Sequence, residues 1–596
     1  MEISNQQKIA ISHNEGPALV LAVPGSGKTT VLLNRIIHLN NTFKIKADQI
    51  LNLTFSKTQA LDMKNRFLIL DSGLKPVFST IHAFCYSIIR LYINEYKLHF
   101  NLIEGSNELN KYKIINRICA QKFDRYLKKE DIDNFFTNYS FIKNNLIDYD
   151  NHKNPFFKTV SKEYDLFKEK HHLLDFDDML TFAYKIVLSD DKILNLIRKQ
   201  YKYIQLDEGQ DASLLQFKIL EVIAKPNNNL FIVADDDQSI YAFRGANPDY
   251  LLQIPSIYPN LKLLYLNVNY RSSKDIVKMS DYLIQKNKKR YIKKVESNSE
   301  QNLPITLAKV KNLKFQNKYI LDYINKLPSG ETVGILFRNN INAISIINSF
   351  INNNIEFTKR LNFKVEILNS IILDLKNIII LSKDLNNLDV FRNIYYKLNL
   401  YLTKKYINSL IPDKSIGIVK TIIFDSTIPE YQMNLLVEFS NSLNKISKFP
   451  LYEQIQEIFF NTGYTDFLKR HHENISIDLI KEILLDISKD FENIFKLEEF
   501  IKSLSKKEIL KGISESNIFI STVHQSKGLE YDHVIITDLV DGEFPTYSDN
   551  EIHDEEERRL FYVAITRARK HLTLIIPKTR SNKKVKPSKF IKEIKN

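Results

Sequence analysis

The first part of the chain alternates short apolar runs with amphipathic stretches, which is the pattern of a parallel α/β fold. ALVLAV (18–23) is short enough for a buried strand, and TTVLLNRIIHL (29–39) has apolar residues at helical spacing. Together with QILNLTF (49–55), these segments make a βαβ pattern, which predicts a parallel sheet. Further strand-like runs follow at YIQLD (203–207), LFIVAD (230–235) and LKLLYLNV (261–268).

A second set of apolar runs predicts a second sheet, formed by TVGILF (332–337), IFISTV (518–523), HVIITDL (533–539) and HLTLII (571–576). Each set is interrupted by a long stretch with apolar residues three or four apart, which indicates helices. We therefore predict an α/β protein with two domains, each carrying a mainly helical insertion. The predicted bounds are 1–90 with 200–275 for the first domain, 91–199 for its insertion, 276–365 with 513–596 for the second domain, and 366–512 for its insertion.

Composition places the chain among water-soluble proteins. At 596 residues it is too long for one hydrophobic core, and 44% of its residues are hydrophobic and 26% charged. No apolar run approaches the roughly 20 residues that span a bilayer, and MEISNQQKIA (1–10) lacks the features of a signal peptide. The two cysteines make neither a disulfide framework nor a metal site. We expect a cytoplasmic protein without a membrane partner.

The net charge of +14 and the pI of about 9.1 suit a polyanionic partner. Lysine, asparagine and isoleucine are also what an AT-rich genome encodes, so charge alone leaves a nucleic-acid partner open. The basic stretches KNKKRYIKK (286–294) and KKVKPSKFIK (583–592) are predicted to be solvated surface.

A glycine-rich loop, AVPGSGKTT, lies between the first predicted strand and helix. Backbone N–H groups of such a loop at a helix N-terminus cradle phosphates. Lys28 would reach the β- and γ-phosphates, and the Thr29 hydroxyl would bind Mg²⁺. The strict pattern departs only at its first position, where Ala22 replaces glycine. The predicted ATP contacts in this loop are Ala22, Val23, Pro24, Gly25, Ser26, Gly27, Lys28, Thr29 and Thr30.

Acidic residues follow two other predicted strands. In QLDEGQD (205–211), Asp207 is placed to hold Mg²⁺, and Glu208 to orient or deprotonate an attacking water. ADDDQSIYAFRGA (234–246) combines carboxylates, an amide, two aromatic rings and a guanidinium within one loop. The alternative for either stretch is an exposed acidic turn, with Tyr241 and Phe243 of the second stretch packed in the core.

Further segments extend the pattern in chain order: ISNQQKIA (3–10), LTFSKTQALDM (53–63), STIHAF (79–84), DFDDML (175–180), NYRSS (269–273), TVHQSKGLEYDHVII (522–536) and EEERRLFYVAITRAR (555–569). With the two acidic stretches and the phosphate loop, they resemble the motifs of superfamily 1 helicases, specifically the UvrD/Rep/PcrA family. The resemblance reaches from near residue 3 to residue 577. It implies two tandem RecA-like P-loop domains with parallel sheets, each interrupted by a helical insertion.

The resemblance implies a role for residues on both sides of an ATP site. Gln7 would read adenine, Tyr270 would stack on it, and Glu530, in the same motif as Gly528, would bind the ribose. Arg271 and Arg567 would stabilise the γ-phosphate in the transition state, Arg567 as an arginine finger when the domains close. The alternative for Arg567 is an ordinary surface charge. The implied catalytic residues are Lys28, Asp207, Glu208, Gln238, Arg271 and Arg567.

On the nucleic-acid side, alternation along an extended segment would let Gln238 sense the γ-phosphate while Tyr241 and Phe243 stack on bases. Asp235–Asp237 would support the Mg²⁺ water shell and the loop. Phe243 stands where relatives carry tryptophan, and Gly209 where they carry an aromatic residue. The implied DNA contacts are Thr54, Phe55, His82, Tyr241, Phe243, Arg244, Thr522 and His524.

The implied activity is that of an ATP-dependent DNA helicase or translocase that uses Mg²⁺ and moves 3′→5′ on single-stranded DNA. We expect single strands and 3′-tailed duplexes as partners, a nucleoid-associated monomer or weak dimer, and a role in repair, replication or recombination with repair, replication or nuclease protein partners. A fused nuclease and tail-mediated docking are not expected, because little sequence follows the last motif. Two alternatives stay open: a helicase subunit of a nuclease or phage-defence complex, and a DNA-binding clamp that uses ATP without unwinding.

Overall fold

Two six-stranded parallel sheets, surrounded by helices, organise the chain in the computed structural model, which describes residues 3–71, 73–105, 110–361, 363, 366–472, 476–505, 516–548 and 550–594. The strands are β1 Ala18–Ala22, β2 Ile50–Thr54, β3 Val77–Thr80, β4 Asn101–Leu102, β5 Leu173–Leu174, β6 Tyr203–Leu206, β7 Leu230–Ala234, β8 Lys262–Leu266, β9 Val268–Asn269, β10 Glu296–Ser297, β11 Thr306–Val310, β12 Val333–Phe337, β13 Thr358–Arg360, β14 Ile518–Thr522, β15 Tyr531–Ile536, β16 Ala568–Pro577, β17 Thr579–Arg580 and β18 Lys583–Lys584.

The α-helices cover both faces of these sheets and form the insertions. They are α1 Asn5–Ile11, α2 Lys28–Phe43, α3 Lys57–Leu70, α4 Ile81–Tyr96, α5 Lys111–Phe123, α6 Lys129–Asn144, α7 Pro155–Lys170, α8 Phe176–Ser189, α9 Asp191–Gln200, α10 Leu214–Ala224, α11 Pro248–Ile257, α12 Lys274–Ile284, α13 Leu313–Ile324, α14 Ala343–Asn352, α15 Glu366–Lys383, α16 Leu388–Ile394, α17 Lys404–Ser409, α18 Ile418–Ile423, α19 Glu430–Ile446, α20 Leu451–Asn461, α21 Tyr464–His471, α22 Ile477–Ile487, α23 Ile494–Ser503, α24 Glu551–Ile565 and α25 Lys589–Glu593. Within the described ranges, none of these helices is both long and apolar enough to span a membrane.

The chain divides into two compact units. The first comprises Met1–Leu303 and Asn550–Thr566, and the second comprises Pro304–Asp549 and Arg567–Asn596. This division differs from the predicted bounds at α24, which the sequence analysis grouped with the second domain. The helix packs instead on α12 and on the turn Asp236–Gln238 of the first unit. Its position in the sequence, just before β16, therefore does not decide the unit to which it belongs.

The sheet of the first unit has the order β3-β2-β6-β7-β1-β8, with every pair parallel. The central strands β1 and β7 are buried along their whole length, which agrees with their apolar sequences. Because β6, β7 and β1 are neighbours, the loops that follow them lie along one carboxyl edge of the sheet. Ligand sites of parallel α/β sheets form at this edge.

The helix α4 runs across residue 91, the predicted start of the insertion, and its buried side chains share a core with β1, β2 and β6. The predicted insertion holds a buried ion cluster in which Lys168 Nζ lies 3.3, 2.7 and 2.6 Å from carboxylate oxygens of Asp165, Asp175 and Asp178. Asp175 also caps α8 by accepting a hydrogen bond from the backbone N–H of Asp178. This cluster joins α7 to the start of α8.

The sheet of the second unit has the order β11-β16-β15-β12-β14-β13 and is also parallel throughout. The helices α15–α23 form its insertion, and their apolar side chains share one core with strands β12, β14 and β15. Three strands of the two sheets were not predicted: β3, β11 and β13. All three lie at sheet edges, where one-sided burial leaves polar residues in the strand.

Within the second unit, Arg580 is buried among three carboxylates of different segments. Its Nε lies 2.9 Å from Glu543 Oε1 and 4.0 Å from Glu482 Oε2, and its Nη2 pairs with Asp538. Burial raises the pKa of Glu482 to about 7; Arg580 opposes this rise, whereas Glu543 and Asp538 add to it. The side chain of Glu482 lies on α22, so the cluster links the insertion to the segments around the sheet.

We predict that Glu482→Gln makes the protein more stable at pH 8 and has a clearly smaller effect at pH 5. An unfolded glutamate has a pKa of about 4.3, so between about pH 4 and 7 the folded state binds more protons and loses stability as the pH rises. The variant removes this loss, worth about 1–3 kcal/mol. Thermal midpoints at the two pH values measure it, with the exposed Glu499→Gln on α23 as control. An equal shift at both pH values would contradict the assignment.

Candidate nucleotide and nucleic-acid site

The phosphate loop connects β1 to α2 through two glycines in the left-handed region. Gly25 has φ +69° and Gly27 has φ +84°. A Cβ on Gly25 would lie 2.6 Å from Arg271 Cβ, and one on Gly27 would lie 2.6 Å from Gln7 Nε2. The loop therefore needs glycine at both positions for its conformation and for its close neighbours. The N-cap of α2 is Gly27, which has no side chain to cap the helix, so the helix N-terminus is suited to an anion.

Lys28, the first residue of α2, is paired with an acid from the neighbouring loop. Its Nζ lies 3.1 Å from Glu208 Oε2. Burial lowers the pKa of Lys28, but the charges of Glu208, Asp235 and Asp207 outweigh it, so that the pKa is raised overall. The ammonium is thus held in its charged form at the phosphate loop.

The loop after β6 carries the two predicted acids. Burial, with the charge of Glu208, raises the pKa of Asp207 to about 7. Glu208 has φ +53° and accepts a hydrogen bond from Gln210 Nε2. The Gln210 Oε1 atom in turn accepts from the Asp235 backbone N–H at 3.0 Å. Gln210, which the sequence analysis did not single out, therefore joins the loops after β6 and β7.

The oxygen donors at this edge fit a magnesium ion. Asp207 offers a buried carboxylate and Thr29 a hydroxyl in the first turn of α2, and Mg²⁺ prefers oxygen ligands with retained waters. Among the described residues, the buried Ser26 Oγ has no hydrogen-bond partner, so the loop keeps a polar atom for a further ligand.

The predicted adenine and γ-phosphate residues pack around the loop backbone. Gln7 donates from Nε2 to the Ser26 carbonyl at 2.9 Å, and its Oε1 accepts from the Ser4 backbone N–H. The backbone N–H of Tyr270 donates to the Gly25 carbonyl at 3.0 Å. Arg271 Nη1 donates to the Thr566 carbonyl at 3.4 Å. These three predicted residues therefore do meet at the phosphate loop.

The stretch 234–246 is not the extended segment that the sequence analysis predicted. It forms two short 3₁₀ turns, Asp236–Gln238 and Ala242–Arg244. The Asp235 side chain accepts a hydrogen bond from the Asp237 backbone N–H at 3.3 Å, and Gly245 at φ +90° ends the second turn. Two turns, and not the alternation of a strand, therefore separate Gln238 from the rings of Tyr241 and Phe243.

The three aspartates of this stretch pair with cations from the 286–294 stretch. Lys293 Nζ lies 2.7, 2.7 and 2.8 Å from carboxylate oxygens of Asp235, Asp236 and Asp237. Arg290 makes a bidentate pair with Asp237 at 2.8 and 2.7 Å. The carboxylates could by their spacing hold a metal ion, but the Lys293 ammonium lies at all three. We expected these carboxylates to support a Mg²⁺ water shell. In the structure, their oxygens instead contact Lys293 and Arg290.

The prediction that residues 286–294 are solvated surface is wrong for Lys293 and Arg290. The Lys293 side chain is fully buried, whereas that of Lys294, the next residue, is 85% exposed. In the second basic stretch, Lys583, Lys584, Lys586 and Lys592 are exposed as predicted, and Lys589 is half-buried. A run of basic residues does not reveal which of them faces a buried acid.

Aromatic side chains lie beyond the acidic turn. The rings of Tyr241 and Phe55 stack with centroids 5.2 Å apart and planes 8° apart. Phe243 is 52% exposed, which contradicts the alternative that it packs in the core. The Arg244 guanidinium lies over both the Tyr241 and the Phe243 rings, at 5.0 and 5.4 Å. A flat, partly exposed surface with a cation is suited to stacking on bases.

The remaining predicted nucleic-acid residues of the first unit differ in exposure. Thr54, at the end of β2, is buried and donates to Gln59 Oε1 at 3.1 Å. His82, in the first turn of α4, is half-buried, and burial lowers its pKa.

The second unit carries the other predicted residues near the ends of β14 and β15. Thr522 ends β14, His524 lies in the turn that follows, and Gly528 has φ +82°. Glu530 is exposed and lies 3.6 Å from Arg569 Nη1. Arg567 Nη1 donates to the Leu529 carbonyl at 3.2 Å, which brings Arg567 to the segment that bears Gly528 and Glu530.

Two parallel α/β units, one of them with a phosphate loop, a lysine and paired acids at its carboxyl edge, define a P-loop protein with tandem RecA-like domains. Residues 3–259 match the family described as the UvrD/REP helicase N-terminal domain, and residues 264–579 match the UvrD-like helicase C-terminal domain. The chain therefore belongs to the UvrD/Rep helicase family.

Similar proteins cover the whole chain. The chain is 29% identical over 640 residues to the ATP-dependent DNA helicase Rep of Buchnera aphidicola subsp. Schizaphis graminum, covering 100% of this chain and 96% of that relative. It is 28% identical over 654 residues to the ATP-dependent DNA helicase PcrA of Staphylococcus epidermidis, covering 99% of this chain and 86% of that relative.

We predict that Lys28→Ala abolishes ATP turnover while the protein stays folded. The variant removes the charge that the loop would offer to the phosphates of ATP. Loss of one such electrostatic contact costs about 10²–10³ in rate. ATP hydrolysis and the thermal midpoint measure the two effects. The exposed Lys64→Ala on α3 is the control and keeps wild-type turnover. Turnover by Lys28→Ala within threefold of wild type would contradict the assignment.

Proposed function

We propose that the protein is an ATP-dependent DNA helicase that translocates 3′→5′ on single-stranded DNA. The observation that carries the proposal is the connected carboxyl edge of the first sheet. There Lys28 contacts Glu208, Glu208 contacts Gln210, and Gln210 contacts the backbone of the loop that bears Gln238. The same loop continues within five residues to the exposed Phe243.

On the nucleotide side, Lys28 neutralises the β- and γ-phosphates, and Glu208 orients or deprotonates the attacking water. Phosphate oxygens compete with Glu208 for the Lys28 ammonium, so nucleotide binding releases the carboxylate for this task. Asp207 and Thr29 would hold Mg²⁺, which would neutralise phosphate charge when bound. The side chains of Arg271 and Arg567 add positive charge at the γ-phosphate, a role carried over from the family resemblance.

On the DNA side, Phe243 and Tyr241 offer flat surfaces on which bases of any sequence stack. Such contacts are worth about 1–3 kcal/mol per base. Arg244 adds a charge that suits the phosphate backbone next to those rings. Gln238 and Tyr241 are three residues apart, so a shift of the acidic turn on ATP hydrolysis moves a ring that holds a base.

The direction of movement and the biological setting rest on relatives. Rep and PcrA, two similar proteins, are named ATP-dependent DNA helicases. We carry over from the family the 3′→5′ direction, a nucleoid-associated location in the cytoplasm, and work in DNA repair, replication or recombination. Single strands and 3′-tailed duplexes are the substrates that this proposal requires.

The purified protein with ATP and Mg²⁺ is expected to unwind a duplex with a 3′ single-stranded tail and to leave the matching 5′-tailed duplex intact. Strand separation of labelled duplexes measures this, with ATP hydrolysis followed in the same mixtures. Unwinding of the 5′-tailed duplex alone would contradict the direction. DNA binding without DNA-stimulated ATP hydrolysis and without strand separation of either duplex would favour a clamp over a helicase.

We predict that Phe243→Ala weakens single-strand binding by about 1–3 kcal/mol and reduces unwinding, with the thermal midpoint unchanged. Loss of a buried phenylalanine would instead cost about 3–5 kcal/mol of stability. Binding titrations, unwinding rates and thermal midpoints separate the two. Phe495→Ala is a matched control, since Phe495 is 51% exposed on α23, outside the motif segments.

Phe243→Trp provides a larger ring at the same position and is expected to keep or improve unwinding. A large fall in the midpoint of Phe243→Ala with normal unwinding per folded molecule would show that the ring is structural.

A further inference from the structure

Lys293 neutralises the acidic turn from one buried point. Its Nζ contacts all three carboxylates within 2.8 Å, and its side chain has no exposed surface. Burial lowers the pKa of Lys293, but the three aspartates raise it well above its ordinary value. The ammonium therefore remains charged, and the three carboxylates are all held around it.

Each carboxylate has a second contact that links it to a specific partner. Asp235 accepts from Gln238 Nε2 through its other oxygen, at 2.7 Å. Asp236 accepts a hydrogen bond from the Tyr291 backbone N–H at 2.7 Å, and Asp237 accepts one from Arg290 Nη2. The predicted γ-phosphate sensor Gln238 is thus oriented by a carboxylate that Lys293 holds in place.

The segment 287–293 also contacts α24. Asn287 Nδ2 and the Lys288 backbone N–H donate to Glu555, at its carbonyl and at Oε1, over 3.0 and 2.7 Å. Arg559 Nη2 donates to the Lys289 carbonyl at 2.9 Å. The helix leads to Thr566, whose carbonyl accepts from Arg271 Nη1.

Segment 287–293 therefore connects the turn that bears Gln238 with α24, the helix that carries most of the last motif. Its contacts at the two ends differ in kind. Buried ion pairs hold the acidic turn, and hydrogen bonds that include the backbone of the segment hold α24.

We propose that Lys293 is a positioning residue for ATP hydrolysis, which orients Gln238 through Asp235 and, with segment 287–293, links that glutamine to α24. This inference rests on the proposed function, because it concerns the rate of the same hydrolysis. Lys293 has no contact with the nucleotide in this scheme and acts only through Gln238. Removing its charge should lower kcat and leave KM for ATP nearly unchanged.

Lys293→Met, which keeps the length of the side chain, is the test variant. We expect kcat for DNA-stimulated ATP hydrolysis to fall about 10- to 100-fold, with KM for ATP within about twofold of wild type. Lys168→Met is the matched control, because Lys168 is likewise buried among three aspartates but lies in the insertion. The control should keep kcat within about twofold.

A double-variant cycle separates positioning from general support of the fold. In a Gln238→Ala background, Lys293→Met should reduce kcat by less than about twofold, because the glutamine through which it acts is gone. A full further loss in that background would overturn the proposal, as would equal losses in Lys293→Met and Lys168→Met.

If Lys293→Met is not recovered as folded protein, Arg290→Gln decides the question. This variant removes the bidentate pair with Asp237 and should also lower kcat without raising KM, by about 3- to 10-fold. An unchanged kcat in this folded variant would overturn the inference. The proposed function would still stand as long as the wild-type chain hydrolyses ATP. No hydrolysis by the wild-type chain, with or without DNA, would overturn the proposed function and this inference together.

Discussion

Buried ion pairs along the carboxyl edge of the first sheet are the interaction on which the rest of the site depends. The parallel, adjacent strands β1, β6 and β7 deliver Lys28, Asp207 with Glu208, and the three aspartates of the acidic turn to the same edge. Carboxylates buried side by side are costly unless cations face them. Lys28 meets this requirement for the loop after β6, and Lys293 for the loop after β7.

The two cations have different positions with respect to a ligand. Lys28 begins a helix at a glycine-rich loop, so a phosphate can take the place of Glu208 beside it. Lys293 comes from a segment behind the acidic turn and is enclosed by protein. The first pair is therefore open to exchange with a ligand, whereas the second is enclosed and keeps Asp235 against Gln238. This arrangement gives a physical basis for the loop that we propose to contact both a nucleotide and a base.

The sequence predicted the parts of the fold whose physical requirements are local. The central strands are buried on both faces, so they appear as continuous apolar runs. The phosphate loop appears through Gly25 and Gly27, which the left-handed backbone and the close neighbours of the loop both require. The edge strands β3, β11 and β13 were missed, because an edge strand is buried on one side and needs no such run. The turns at 236–238 and 242–244 were missed although the Asp235 cap and Gly245 are local signals for them, and only the cations that face the first turn come from a distant segment.

Residues 293 and 294 show where prediction from the sequence ends. By itself, the sequence determined the family, the class of fold, the phosphate loop and the identity of the acids after each strand, because these depend on residue type and spacing. It offered no means of distinguishing Lys293 from Lys294, which are adjacent and chemically identical. Tertiary structure decided that one is buried against three carboxylates and that the other, 85% exposed, pairs with Glu296 at the surface. The physical reason is that burial of a charge depends on which distant acids the folded chain brings to it, and that information is not contained in the neighbouring residues.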